Sequence, residues 1–565
     1  MPPLPDATVT IRDGSLGIVP TSTASTQMKL GVAAIGFVNT IYSVSDPTAL
    51  TKAIGNTGPL AESAAQLLVS AGGPVMVVPV NPSTYGTASA TVKFGTGAET
   101  LVVAAKPAVQ ILAKCTLGGA LGVSTWAYSV DGGVTYSSSS VSAATVMVPN
   151  ATLTTLAHGA GTAVIGDIWT ITTAGGAYLT GTGTNTISLS SASPVDAYNG
   201  VVTITTGGAL GTMAFTYSLD GGVSIVGPIL STGGGTYVIP DSGLQLTFTG
   251  GSTAGDYFTF TSTAASYSSA DLSAAWNAVI TDSRTFGLFH VVGAPASVGA
   301  AATLLASVDS LASTAATNYR YCRGFLEVPA DTDANTLSAF AASSSTRVAA
   351  CASTAYTAGA LKPWVLPRSS AWHASARASS VPISQDLGRV ATGPVKQIPG
   401  SLPTAVGLTT GQKPLTRDEQ VTPGLDAGRF ITLRSILGLN GFFITNPNLM
   451  APVGSDFKWL QYGRVMDVAA NALRTASLGF LNDSVFTNAD GTIKEQSARI
   501  IEQVCDSAVR NALAPGNISG LQITVSRTQN VTSTSTVAIT LRIQPLGYAK
   551  YISLDIGFRN PNLGN

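Results

Sequence analysis

The ten residues YSVDGGVTYS from Tyr128 return as YSLDGGVSIV from Tyr217, and this near-duplication constrains the possible folds more than any other feature of the chain. The register extends beyond that phrase. GGALG recurs at Gly118 and Gly207, and GDIWTIT from Gly166 aligns with GDYFTFT from Gly255, all at an offset of 89. A spacing held through such unlike stretches marks a duplicated folding unit. Within each copy, short runs alternate apolar and polar residues between Gly, Ser and Asn, the pattern of strands joined by turns. The pairs Asp131-Gly132 and Asp220-Gly221 predict type I′ hairpins, because glycine enters positive φ without a steric penalty. A Gly-Asp corner at Asp167 and Asp256 precedes strands rich in aromatic and β-branched residues. These features predict two tandem all-β sandwich modules of Ig-like type, inserted at residues 107–190 and 191–264. The four aspartates are assigned to turns first. They are also oxygen donors of the kind calcium takes, so calcium or glycan binding by the modules stays open. His158 becomes Thr247 in the second copy, so the module needs no imidazole there.

Charge separates the repeats from the rest of the chain. Lysine plus arginine balances aspartate plus glutamate at 29 each over 565 residues, which leaves no global basic field for nucleic acid or anionic lipid. Residues 107–262 hold one lysine and six aspartates, making the insert acidic and the remainder basic. Only 10% of residues are charged, which suits large neutral surfaces covered in an assembly. Cys115, Cys322, Cys351 and Cys505 form no metal-ligand spacing, and Cys115 and Cys505 read as small core residues. MPPLPDATVT carries no signal-peptide pattern, so synthesis in the cytoplasm is expected. The apolar stretch between Arg284 and Asp309 is too interrupted for a bilayer span, so no membrane insertion is expected.

Outside the repeats, helices and buried strands alternate. DPTAL and AESAAQLLVSAGG read as helix and PVMVVPV as a buried strand; DLSAAWNAVI, FGLFHVV, AAATLLASVDSLAS and RGFLEVP continue the alternation, an α/β layered body. Nearer the C-terminus, GRVMDVAANALRTA and a helix starting near Gly491 precede LQITVS and VAITLRI. On the second helix Ser497, Ile501, Val504, Cys505, Ala508 and Ala512 are expected to form the stripe that docks on the sheet. Both ends look like strands. Ala7, Val9 and Ile11 alternate with polar residues, as do Ile552, Leu554, Ile556 and Phe558. They are either edge strands of the chain's own sheet or strands donated to neighbours, with flexible hinges at Gly14–Thr26 and Gly547.

In that order, with VPISQDLGRVATGPV from Val381, LDAGRFITLRSILGLNGFFITNPNLM from Leu425 and YGRVMDVAANAL from Tyr462, the part outside the repeats resembles tail sheath proteins of contractile bacteriophages and related injection machines. The resemblance implies a multidomain α/β (α+β) sheath core interrupted by the two modules. Its expected parts are an N-terminal arm (1–20), core segments (21–106 and 265–450), a C-terminal α/β domain (451–545) and a donor-strand arm (546–565). It implies a subunit stacking as hexameric rings around a tail tube, meeting baseplate and tail terminator proteins, and contracting in a virion. Val9, Ile11, Ile552, Leu554, Ile556 and Phe558 would then pair between subunits. No catalytic residue, cofactor or metal is expected, and no GxxxxGK[ST] phosphate loop occurs. A hydrolase reading meets only three histidines: His158 in a repeat, His290 in an apolar strand, and His373, read as a surface or interface residue. The other reading is a virion adhesin or fibre protein with tandem carbohydrate-binding modules, which leaves the α/β body unexplained.

Overall fold

The computed structural model describes residues 24–396, 424–436 and 438–557, and the backbone of Leu408–Thr410 and Lys413–Pro414. Val9, Ile11 and Phe558 lie outside the described residues.

The body is built on one six-stranded sheet. In chain order its elements are β1 (Gln27–Gly31), β2 (Tyr42–Val44), α1 (Pro47–Ile54), α2 (Pro59–Ala71), β3 (Val75–Pro79), α3 (Ser269–Thr281), β4 (Leu288–Val291), α4 (Val298–Thr317), β5 (Arg323–Glu327), α5 (Asp333–Ala339), β6 (Val348–Cys351) and α6 (Ser370–Ser380). The spatial order is β2-β3-β1-β4-β5-β6, parallel except for the edge strand β2. Five of these strands are buried along their whole length, as a parallel sheet covered on both faces requires, and their polar residues Gln27, Lys29, His290, Arg323 and Glu327 are buried with them. Met28, Leu30, Met76, Val78 and Phe289 meet Trp276 of α3 and Leu305 of α4 on one face. Leu288, Phe325 and Ala349 meet Ala371 and Ala374 of α6 on the other. Polar side chains set the helix starts: Asp46 accepts from the Ala49 amide at 2.9 Å, and Ser268 and Asp271 form a reciprocal capping box. Helix α4 is long and apolar enough to cross a membrane, but Ala301, Leu304, Leu305, Val308, Ala312 and Ala315 pack it into the core.

The repeats form two units, each a pair of facing sheets around its own apolar core. They are nested rather than tandem. The inner unit is continuous, with strands from Ile111–Leu117 to Ile187–Ala192. The outer unit combines strands from Asn199–Thr206 to Tyr257–Thr261 with Val92–Phe94 and Thr100–Ala105, which precede the inner unit in the chain. Sheet membership therefore crosses the boundary expected at residues 106 and 107. The reason is a second shared phrase: GTG at Gly95–Gly97 and again at Gly181–Gly183, at an offset of 86 instead of 89. Each wraps the carboxylate of a Gly-Asp corner. Asp256 accepts from the amides of Thr96 (3.2 Å) and Gly97 (2.8 Å), and Asp167 from Thr182 (3.0 Å) and Gly183 (3.4 Å). No Cβ fits at Gly183 beside the Asp167 carboxylate.

The Asp-Gly phrases do not make two-residue turns. Asp131 and Asp220 lack the positive φ a type I′ turn demands; Gly132 and Gly133, like Gly221 and Gly222, adopt it instead. The loops run from Val130 to Ser139 and from Leu219 to Ile225, between Thr125–Ser129 and Ser140–Val141 and between Ala214–Ser218 and Val226–Leu230. The Asp131 carboxylate accepts from the amides of Val134 and Thr135 and from the hydroxyls of Ser129 and Thr135, closing its loop internally. These bonds hold the exposed carboxyl well below the ordinary range, the Thr135 hydroxyl contributing most. Asp220 spends only Oδ1 this way, on the Ser218 hydroxyl and the Ser224 amide. Its Oδ2 accepts from Val365 of the body at 2.9 Å.

Candidate assembly interface

The C-terminal unit stands on two helices, α7 (Leu460–Leu478) and α8 (Glu495–Leu513), and a hairpin of β7 (Gly520–Val525) and β8 (Ile539–Gln544). Ser497, Ala498, Ile501, Cys505, Val509 and Leu513 form the buried stripe of α8. The expected stripe is rotated: Val504 and Ala512 are exposed, because the face that meets the sheet follows steps of four through Val509 and Leu513.

Register decides what the hairpin offers. Val525 lies opposite Ile539, Ile523 opposite Leu541 and Leu521 opposite Ile543. The Ser526 amide donates to the Ala538 carbonyl at 2.9 Å, so the even-numbered residues of β7 face β8 and the main-chain groups of Leu521, Ile523 and Val525 point to the other edge. By the same alternation Ile539, Leu541 and Ile543 turn their N–H and C=O groups to the outer edge of β8. Their side chains are half-buried on the helix side, while Thr540, Arg542 and Gln544 are exposed on the opposite face.

After β8 the chain is anchored before it is released. Trp459, Tyr462 and Tyr548 cluster with ring centroids 5.5 to 6.3 Å apart, and Lys550 lies 4.8 Å from the Trp459 ring. The Tyr548 hydroxyl donates to the Ser384 carbonyl; Lys550 pairs with Asp386 and donates to Asn446 Oδ1 at 2.9 Å. Burial pushes the Tyr548 phenol above its usual range. Gly547, expected as a hinge, thus lies inside the anchored stretch. Release comes at Tyr551. Residues 551–557 belong to no helix or strand, and Ile552, Leu554 and Ile556 are 77%, 79% and 89% exposed. Trp459 and Tyr462 stand three residues apart, but Tyr548 joins them from 86 residues further along the chain, a separation no periodicity encodes.

Lys29 and His290 form a sealed cluster in the body. Lys29 Nζ donates to Ser63 Oγ at 2.8 Å and lies 3.0 Å from His290 Nδ1, whose Nε2 is 3.1 Å from Glu327. Burial lowers the lysine to about 7 and His290 to about 4. Neither residue has exposed surface, which leaves no access for a substrate. His373 is buried too, between Gln66 and Thr357, in contrast to the surface position expected. Between α7, α8 and the lower end of the central sheet runs an open groove of about 710 Å³, where Arg464 Nε and Nη1 have no partner among the described residues.

These elements define a layered α/β body carrying paired β-sheet units and a C-terminal helix–hairpin unit. The chain belongs to the DUF2586 family: residues 4–448 match its N-terminal domain model and residues 456–563 its C-terminal domain model. Among solved structures it is similar to the sheath tail protein Lin1278 of Listeria innocua, at 12% identity and a TM-score of 0.43 over 93% of this chain and 94% of that one. It is similar also to the sheath tail protein DSY3957 of Desulfitobacterium hafniense (11%, 0.41, 96% and 100%) and to the anti-feeding prophage helical sheath in its contracted state (9%, 0.43, 99% and 99%). No curated protein matches the sequence.

Proposed function

We propose that this chain is the sheath subunit of a contractile tail. Copies stack as hexameric rings around a tail tube, are tied together by donated strands, and contract to drive the tube through the host envelope, with baseplate and terminator proteins at the two ends. The observation that carries this reading is the segment after Lys550, which leaves the subunit with Ile552, Leu554 and Ile556 bare, while β8 presents a strand edge to solvent. The two are complementary. An added strand would set Ile552, Leu554 and Ile556 beside Ile539, Leu541 and Ile543 on the helix side, and Ser553 and Asp555 beside Thr540 and Arg542 on the solvent side. Burying each large aliphatic side chain is worth about 1.5–3 kcal/mol, enough for the arm to favour a partner over water. Residues 551–557 span roughly 23 Å at about 3.3 Å per residue, the reach of a touching neighbour. Contraction then needs no nucleotide: the arms remain paired while the bodies rotate into a lattice that buries more surface. The acidic modules face outward.

Deleting residues 551–565 tests the reading. Negative-stain images of the full chain should show hollow tubes, and the truncated chain should remain a folded monomer. Tubes from the truncated chain would sink strand donation, and compact trimers from the full chain would favour an adhesin.

A further inference from the structure

The two edges of the C-terminal hairpin are unequally available. On β7, the outward Val525 amide donates to Glu502 Oε1 of α8 at 2.7 Å, and the Val525 carbonyl accepts from Arg527 Nη1 at 2.7 Å. The Leu521 carbonyl accepts from Arg510 Nη2 at 3.2 Å. These side chains hold one another. Arg527 pairs with Glu502 and, at 2.9 Å, with Glu495, and Arg510 pairs with Asp506 at 2.6 Å. The Arg527 hydrogen bonds hold the Glu502 carboxyl below its ordinary range, keeping it an acceptor at neutral pH. On β8, among the described residues, no side chain bonds to the outward groups of Ile539, Leu541 or Ile543.

We propose that Glu502 is a latch that closes the β7 edge in the free subunit, so that a strand from a second copy adds first at β8 and reaches β7 only after Glu502 and Arg527 are displaced together. The inference rests on the strand-donation reading and adds an order to it. Unpaired strand edges invite indiscriminate pairing, and charged side chains laid across the edge are an effective cover. Here the cover is removable. Glu502 and Arg527 sit at the surface, with 21% and 34% of their side chains exposed, so the displaced pair re-enters water instead of being stranded. The occupant is the segment 551–557 of a second copy, whose apolar alternation matches the helix side of the hairpin at either edge.

The test uses the full chain below its assembly concentration and a labelled peptide, YISLDIG, that reproduces residues 551–557. With wild type we expect one equivalent of peptide bound and a protected Val525 amide in hydrogen exchange. Glu502→Ala should accelerate Val525 exchange by about tenfold or more, as expected for losing a hydrogen bond to a charged group, and admit a second equivalent of peptide. Glu502→Gln, which keeps an acceptor for the Val525 amide, should bind one equivalent and controls for misfolding. One equivalent in all three proteins, or a Val525 amide unprotected in wild type, overturns the latch and leaves strand donation standing. No binding to any of them overturns both.

Discussion

Asp220 Oδ2 accepts the main-chain N–H of Val365 at 2.9 Å, a bond that fastens the outer repeat unit to the body, whereas its repeat counterpart Asp131 accepts from Ser129, Val134 and Thr135 of its own unit. The contact has reinforcements: Arg368 pairs with Asp196, Lys362 lies 2.8 Å from Asp241, and Leu366 enters the core of the outer unit. Glu62 orders the same stretch by accepting from the amides of Ala360, Leu361 and Lys362. Asp220→Ala strands a buried amide and should destabilise the chain by about 1–3 kcal/mol. Asp131→Ala should leave the body unaffected. Thermal unfolding, with exchange of the Val365 amide as the local readout, separates the two.

Stability should fall on acidification through the histidine range. His158, His290 and His373 are each lowered by burial from an ordinary 6.5 to about 4, so between those values the unfolded chain binds protons that the folded chain refuses. That difference makes stability drop as pH falls from about 6.5 to 4. Lys29, lowered from 10.5 to about 7, acts in the same sense at higher pH: stability rises between 7 and 10.5 and its penalty is complete below 7. Urea midpoints against pH should show both slopes, and Lys29→Met should erase the alkaline one.

Arg464 is buried, and burial lowers its guanidinium to about 10. Among the described residues only Nη2 finds a partner, Ser25 Oγ at 3.2 Å, while nearby Asp467 is engaged by Arg323 at 2.8 Å. Arg464→Met should therefore cost nothing or add about 1 kcal/mol, whereas Arg323→Met leaves Asp467 without its closest partner and should cost about 3–5 kcal/mol. Denaturant titration of the two variants gives the contrast.

Arg542 is exposed on the solvent face of β8, and Asp555 occupies the middle of the free segment. Across a donated strand the two charges attract, worth roughly 0.2–1 kcal/mol per pair and multiplied over a lattice. Asp555→Arg or Arg542→Asp alone should raise the concentration needed for tubes, and the double exchange should lower it again in sedimentation assays. Equal thresholds for all three variants would show that the register does not align these residues.

The body was legible because a sheet covered on both faces imposes long apolar runs on strands such as FGLFHVV, and because the entry at DPTAL announces a helix. The duplication was legible from its fixed spacing. Its nesting was not, since the GTG phrases stand at a different offset and only pairing reveals which copy each joins. His373 in SAWHAS is buried because α2 and the strand Ser353–Ala358 close over it, and such tertiary cover leaves no local pattern. The alternation of Ile552, Leu554 and Ile556 was plain from sequence. The closed state of the β7 edge depends on register and on side chains reaching across from α8, neither of which periodicity encodes.

The nesting bears on how the polypeptide matures during synthesis. Val92–Phe94 and Thr100–Ala105 emerge from the ribosome before the inner unit and have no native partners until Tyr257–Thr261 and Leu244–Thr249 follow. Meanwhile Ile168–Ile171 and Thr154–His158 offer them the counterpart positions that Ala177–Thr180 and Ile187–Ala192 must fill. Two strand–GTG–strand segments thus compete for one set of docking strands, and vectorial translation gives the wrong one a head start. The divergence between GTGAETLVV and GTGTNTISL distinguishes the rivals, so making the two phrases identical should slow maturation.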